Sequence, residues 1–195
     1  MTLPSYNKKN RRRERVQLPK AAYVIQIQGV KVKKTKAGHD QLNLDYDINE
    51  GEFAGHYKAM FELNANEDKD WPNDGVYRLT VPYPGCHDFI VTNWDSFFSD
   101  LEDSNNGYVF SGDEKALKGK IIGAKMHIEE SEWNGKIYSH TRMCWTCTAD
   151  AVRQGKAGPL PYDKLIERKP AGESVNDYVS GGFTAVPDID EIPFD

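Results

Sequence analysis

A chain of 195 residues has room for one domain of ordinary size plus tails, and 38% hydrophobic residues supply a core but are lean for the full length. No apolar run approaches the about eighteen residues of a membrane-spanning helix, the basic start "MTLPSYNKKNRRRER" lacks the apolar segment of a secretory signal, and three cysteines make no disulfide framework. A soluble protein of a reducing cytoplasm, with no membrane partner, is the expectation.

The net charge of −5 conceals opposite ends. Residues 1–20 carry seven Lys/Arg against one Glu, whereas residues 170–195 carry six acids and no Lys or Arg. Residues 1–17 read as a basic flexible arm, 18–168 as the folded domain, and 169–195 as a disordered acidic tail.

Within the domain, "AAYVIQIQGVKVKKT" is rich in Val and Ile and predicts a first strand, closed by the turn "KAGH". "QLNLDYDIN" alternates, with Leu42, Leu44, Tyr46 and Ile48 on one face and Gln41, Asn43, Asp45 and Asp47 on the other, as a half-buried strand does. "HYKAMFEL" alternates again through Tyr57, Ala59, Phe61 and Leu63 and reads as a third strand. Residues 64–85 form a long connection with one small strand, "VYRLTV". Ile90, Trp94, Phe97, Phe98 and Leu101 have helical spacing, with Asn105-Asn106-Gly107 as the stop. "LKGKIIGAKMHIEESEW" alternates through Ile122, Ala124, Met126 and Ile128. The Asn-Gly at 134–135 then predicts a hairpin into "KIYSHTRMCWTCTADAV". No internal repeat is evident.

Three strands, a helix and a hairpin make a mainly β chain in the element order of an OB-fold. The expectation is a five-stranded barrel with one helix between strands 3 and 4, flanked by disordered tails.

Such a barrel binds single strands with cations that follow the phosphates and flat side chains on which bases stack. Candidates that point away from the proposed core are Lys31, Lys33, Lys34 and Lys36 on and after the first strand and Lys58 and Met60 on the third. Lys125 and His127 follow on the fourth, and Tyr138, His140 and Arg142 share one face of the fifth. Trp71, Tyr77, Arg78 and Trp133 sit in or beside loops, where rings can protrude. The plainer reading is a solvated lysine face, with Trp133 and Tyr138 merely stabilising the hairpin. The arm "KKNRRRER" could grip phosphates without sequence preference.

Two other chemistries need weighing. Cys144 and Cys147, with Cys86 and His87, resemble a zinc ligand set, but three residues apart on a strand the first pair faces opposite ways, where a zinc knuckle needs a turn. No metal or cofactor is expected. Asp45, Asp47, Glu50 and Glu52 could gather magnesium for phosphodiester cleavage, although the first two also fit the polar face of an alternating strand. No phosphate loop or activated nucleophile accompanies them, so no enzyme is expected.

The last residues, "DIDEIPFD", resemble the C-terminal tip of bacterial single-stranded DNA-binding proteins, an acidic run followed by Ile-Pro-Phe. The resemblance implies that Asp188, Asp190 and Glu191 meet basic side chains of replication, repair or recombination enzymes while Ile192, Pro193 and Phe194 enter an apolar pocket. Here Asp195 follows Phe194 and displaces the terminal carboxylate by one residue. Over roughly 18–168, "LPKAAYVIQIQGVKV", "LNLDYDINEGEFAG", "LKGKIIGAKMHIEE" and "ADAVRQGKAGPLP" are similar to phage and mobile-element single-stranded DNA-binding proteins. That family implies sequence-independent binding of single-stranded DNA in the bacterial host cytoplasm, enzyme recruitment by the tail, and possible homo-oligomers. The alternative is a protein-interaction module or DNA-mimicking inhibitor of a host protein.

Overall fold

Alternating apolar residues build the centre of the molecule. In the computed structural model, which describes residues 17–64, 66 and 68–167, β1 (Ala22–Lys34) and β2 (Asp40–Ile48) form an antiparallel hairpin. Leu42, Leu44, Tyr46 and Ile48 all point into the core, as the alternation predicts. β1 carries a bulge between Ile27 and Gly29. Gly29 matters there because the carboxylate of Asp45 lies 3.2 Å from where a β-carbon would stand.

The segment expected as the third strand is instead the helix α1 (His56–Leu63). Tyr57, Met60 and Phe61 stand at i, i+3 and i+4, so a helix buries one apolar stripe, while Ala59 and Leu63, inward in the strand reading, are exposed. Asp47 settles the choice. Its carboxylate accepts the backbone N–H of Tyr57 at 2.8 Å and of Lys58 at 3.3 Å, capping the helix from nine or more residues upstream, and accepts Ile48 N–H at 2.9 Å. The polar face of β2 is therefore not simply solvated: Asp47 and Asn43 are both buried.

The small strand of the long connection supplies the third strand, β3 (Val76–Thr80), which pairs with β2. Proline at 82 and 84 lacks the N–H groups that would extend it. The predicted helix is α2 (Asp88–Ser104), with Phe97, Phe98 and Leu101 buried. Its stop is a joint as well: Asn105 donates to Leu101 O and Ile121 O and accepts from Ile121 N–H, tying α2 to the start of β4 (Ile121–Trp133). The Asn134-Gly135 turn has positive φ at both residues, 51° and 70°, as a type I′ hairpin requires, and leads into β5 (Lys136–Cys147). A short α3 (Ala149–Arg153) follows.

The five strands form one antiparallel sheet in the order β3-β2-β1-β4-β5. It is an open sheet and not the closed barrel expected, because no backbone ladder joins β3 to β5. Side chains span that seam instead. Tyr46 donates to Asp74 O at 2.9 Å, just before β3, and the Asp74 carboxylate meets His140 and Arg142 of β5. The chain after α3 returns along β4, where Asp163 accepts Ile128 N–H and pairs with Lys20 at 2.9 Å. Those contacts hold the Asp163 carboxyl below the usual range, the Ile128 N–H contributing most.

Among the described residues no helix is long and apolar enough to cross a membrane. Residues 1–16 of the basic arm and the acidic tip, including Asp188, Asp190, Glu191, Ile192, Pro193 and Phe194, lie outside the described residues.

Candidate nucleic-acid interface

Strand register brings one set of predicted cations together. Lys31 of β1 stands opposite Asn43 of β2, which stands opposite Arg78 of β3, so the three lie abreast on the sheet face turned away from the core. The next row is Lys33, Gln41 and Thr80, and the row on the other side ends in Asp45 and Val76. The chain entering β3 adds Asp70, Trp71 and Asn73 as a wall. All of these except Gln41 and Thr80 line a pocket of about 220 Å³.

Its charge is mixed, three cations against two carboxylates. Lys31 Nζ lies 3.5 Å from Asp45 Oδ2, and the Arg78 guanidinium donates to Asn73 Oδ1. Both cations stay exposed, so phosphate oxygens can displace these contacts at little cost. Lys33 carries no ion pair among the described residues. Trp71 is half-buried: its indole N–H donates to Tyr46 O at 3.1 Å and its ring stacks obliquely on Phe61 at 5.3 Å. That anchoring fixes one rigid flat wall beside the cations.

A second set of predicted residues lies on the β4–β5 hairpin. Trp133 and Tyr138 are exposed, with Trp133 opposite Lys136 and Tyr138 opposite Ser131. His140 and Arg142 are not free. Asp74 Oδ2 lies 3.1 Å from His140 Nδ1 and Asp74 Oδ1 accepts from Arg142 Nε at 3.3 Å, while Glu129 sits 3.5 Å from Arg142 Nη1. Tyr138 and His140 border another cleft of about 180 Å³, shared with Leu18, Tyr57, Met60 and Thr141.

The remaining candidates do not join either set. Lys34 projects to the opposite face from Lys31 and Lys33 and pairs with Asp40 at 2.7 Å. Lys58 is exposed, but on α1 and not on a strand. Lys125 is half-buried on β4, and His127 is buried, its Nδ1 3.2 Å from Tyr162 O. Tyr77 belongs to the core: it stacks on Phe97, hydrogen-bonds with Asn93 through its hydroxyl, and burial pushes that hydroxyl up to about 12. It offers no stacking surface, because β3 turns it inward and Arg78 outward.

The carboxylates weighed for magnesium do not converge. Asp47 caps α1, Glu50 is held by Arg153 at 2.6 Å and Asp45 faces Lys31. Among the described residues no group of three or more His, Cys, Asp or Glu is placed to hold a metal ion. Cys86, Cys144 and Cys147 are free, burial pushes the Cys144 and Cys147 thiols up, and His87 accepts Phe89 N–H as the cap of α2.

Sequence reasoning passed over Asn43, Asp70, Asn73 and Asp74 as site residues. For Asn43 the signal was present, since it occupies the outward phase of the alternating β2. Asp70 and Asn73 lie in a loop whose return to the sheet no local pattern announces. Neither a scan against protein-family models nor a search of curated proteins finds a match to this chain.

Proposed function

We propose that the protein binds single-stranded DNA with little overall sequence preference and catalyses no reaction. The observation that carries this reading is the row Lys31–Asn43–Arg78, with Lys33 beside it and Trp71 as a flat wall. Cations at strand spacing follow a backbone of phosphates, and a sheet face admits splayed bases that a stacked duplex does not offer. An OB-fold is a five-stranded, partly open barrel that binds oligonucleotides on its strand 2–3 face. This sheet has five strands, one seam without a ladder, and its cations on the β1–β2–β3 side, which supports the OB reading.

The resemblance of residues 18–168 to phage and mobile-element proteins adds a setting, the cytoplasm of a bacterial host during replication or recombination. The acidic tip then serves to recruit partner enzymes. Truncation of residues 187–195 should abolish capture of such an enzyme and tighten DNA binding at low salt, because the tail competes for the same cations.

The deciding experiment is fluorescence anisotropy with a mixed-sequence single strand and its matched duplex across a salt series. The reading expects preference for the single strand and affinity that falls as salt rises; equal or absent binding overturns it. A protein-binding module is the second reading, favoured by the pairing of Arg142 with Asp74 and Glu129 and the contact of His140 with Asp74. It expects a stable protein partner that survives tail deletion and no oligonucleotide binding.

A further inference from the structure

Within the pocket, one polar atom lacks a partner. Asn43 is 9% exposed, lies on the central strand of the three that form the floor, and its Oδ1 is shielded from solvent with no hydrogen bond among the described residues. A buried acceptor left unpaired keeps its full desolvation cost, so the position calls for a donor from elsewhere. The neighbours that could have supplied one are turned aside: Lys31 toward Asp45 and Arg78 toward Asn73.

Asp45 and Asp70 line the pocket with Asn43 as further acceptors, while Lys31, Lys33 and Arg78 line it as donors suited to phosphate oxygens. The pocket therefore favours, at Asn43 Oδ1, a ligand edge that donates a hydrogen bond. Its volume of about 220 Å³ falls below the roughly 300–1,000 Å³ of a drug-sized site, which suits a fragment the size of a single base. Phosphates on either side would draw Lys31 and Arg78 outward and uncover the carboxamide between them.

We infer that this pocket is a single-nucleotide subsite in which Asn43 Oδ1 accepts from the exocyclic amine of a base, so that amino-bearing bases are held in preference to thymine or uracil. The inference rests on the single-stranded DNA reading and deepens it. Sequence tolerance along the strand then coexists with a preference at one position.

Cytosine and uracil make the test, because they share ring size and differ at position 4, an amine against a carbonyl, and at the adjacent N3, an acceptor in cytosine and an N–H in uracil. Anisotropy titrations of the full chain with oligo-dC and oligo-dU of equal length, at neutral pH and one salt concentration, should show about fivefold tighter binding of oligo-dC, the value of one hydrogen bond to an otherwise unpaired acceptor. Asn43→Leu, close in volume but without the acceptor, should bring the two affinities together while keeping thermal stability. Equal affinities in the unaltered protein, or a preference that persists in Asn43→Leu, overturn the inference and leave single-strand binding standing. Failure of both oligonucleotides to bind overturns both. If Asn43→Leu does not fold, the dC/dU ratio of the unaltered chain still decides.

Discussion

Replacing Asp47 by alanine tests the element that displaced the expected third strand. The carboxylate is 3% exposed and accepts three backbone N–H groups, those of Ile48 and Tyr57 on Oδ1 and that of Lys58 on Oδ2. Lys58 is exposed, so water can replace its partner. The other two donors are buried, and each costs about 1–3 kcal/mol when unpaired. Asp47→Ala should therefore destabilise the fold by about 2–4 kcal/mol, lowering Tm by roughly 5–15 °C in a domain of this size. Asp47→Asn keeps an oxygen at the Oδ1 position, gives up only the Lys58 hydrogen bond and removes a buried charge, so its cost should stay within about 1 kcal/mol. Urea unfolding of the three proteins followed by circular dichroism gives the comparison.

pH adds a second readout. Burial pushes the Asp47 carboxyl above its ordinary value, opposed by the three N–H groups and by His56. A carboxyl raised by folding contributes stability that is full below its unfolded pKa and is lost as pH rises through its folded pKa. The stability of the unaltered protein relative to Asp47→Asn should therefore increase as pH falls through the carboxylate range. A loss below about 1 kcal/mol in Asp47→Ala would refute the capping argument, whereas a relative stability that falls with acid would mean that the three N–H groups outweigh burial at this carboxyl.

Other expectations follow from individual side chains. A β-carbon at Gly123 would stand 2.7 Å from both Cys147 O and Thr148 O, backbone atoms that cannot rotate away; Gly123→Ala should cost about 1–3 kcal/mol, measured by the same unfolding curves. The double variant Lys31→Ala/Arg78→Ala should reduce the slope of log affinity against log salt for single strands by about 1.4, since each phosphate that a cation no longer neutralises takes away roughly 0.7; an unchanged slope would remove this face from the interface. Asp74→Ala strips His140 and Arg142 of their shared partner, leaving Arg142 only Glu129, and should lower Tm by several degrees while raising low-salt affinity for single strands, because one carboxylate near Arg142 is removed. A drop in affinity there would mean that Asp74 positions Arg142 for DNA.

Local pattern carried much of the architecture. The alternation of Leu42, Leu44, Tyr46 and Ile48, the helical spacing from Ile90 to Leu101, and Asn134-Gly135 each have a short-range physical cause, and each element formed where that cause predicts. Residues 56–63 were misread because eight residues with Tyr57 and Phe61 four apart satisfy both periods. What separates them is a carboxylate on another element, which no window along the chain contains. Tyr77 and Arg78 failed together for a related reason. Only pairing with β2 determines which of two adjacent side chains turns inward.

The sequence by itself determined that this chain makes antiparallel strands around an apolar core, that its termini carry opposite charge, and that basic and aromatic residues recur on outward positions. Those properties depend on neighbours in the chain. Tertiary structure alone decided which of the candidate side chains in the folded domain meet. Register set Lys31, Asn43 and Arg78 abreast, the return of the 64–75 connection put Trp71 beside them, and Asp74 claimed His140 and Arg142 across the seam. Side-chain electrostatics acts through space over a few ångströms, so the free cations and the neutralised ones become distinguishable only once the strands are laid side by side.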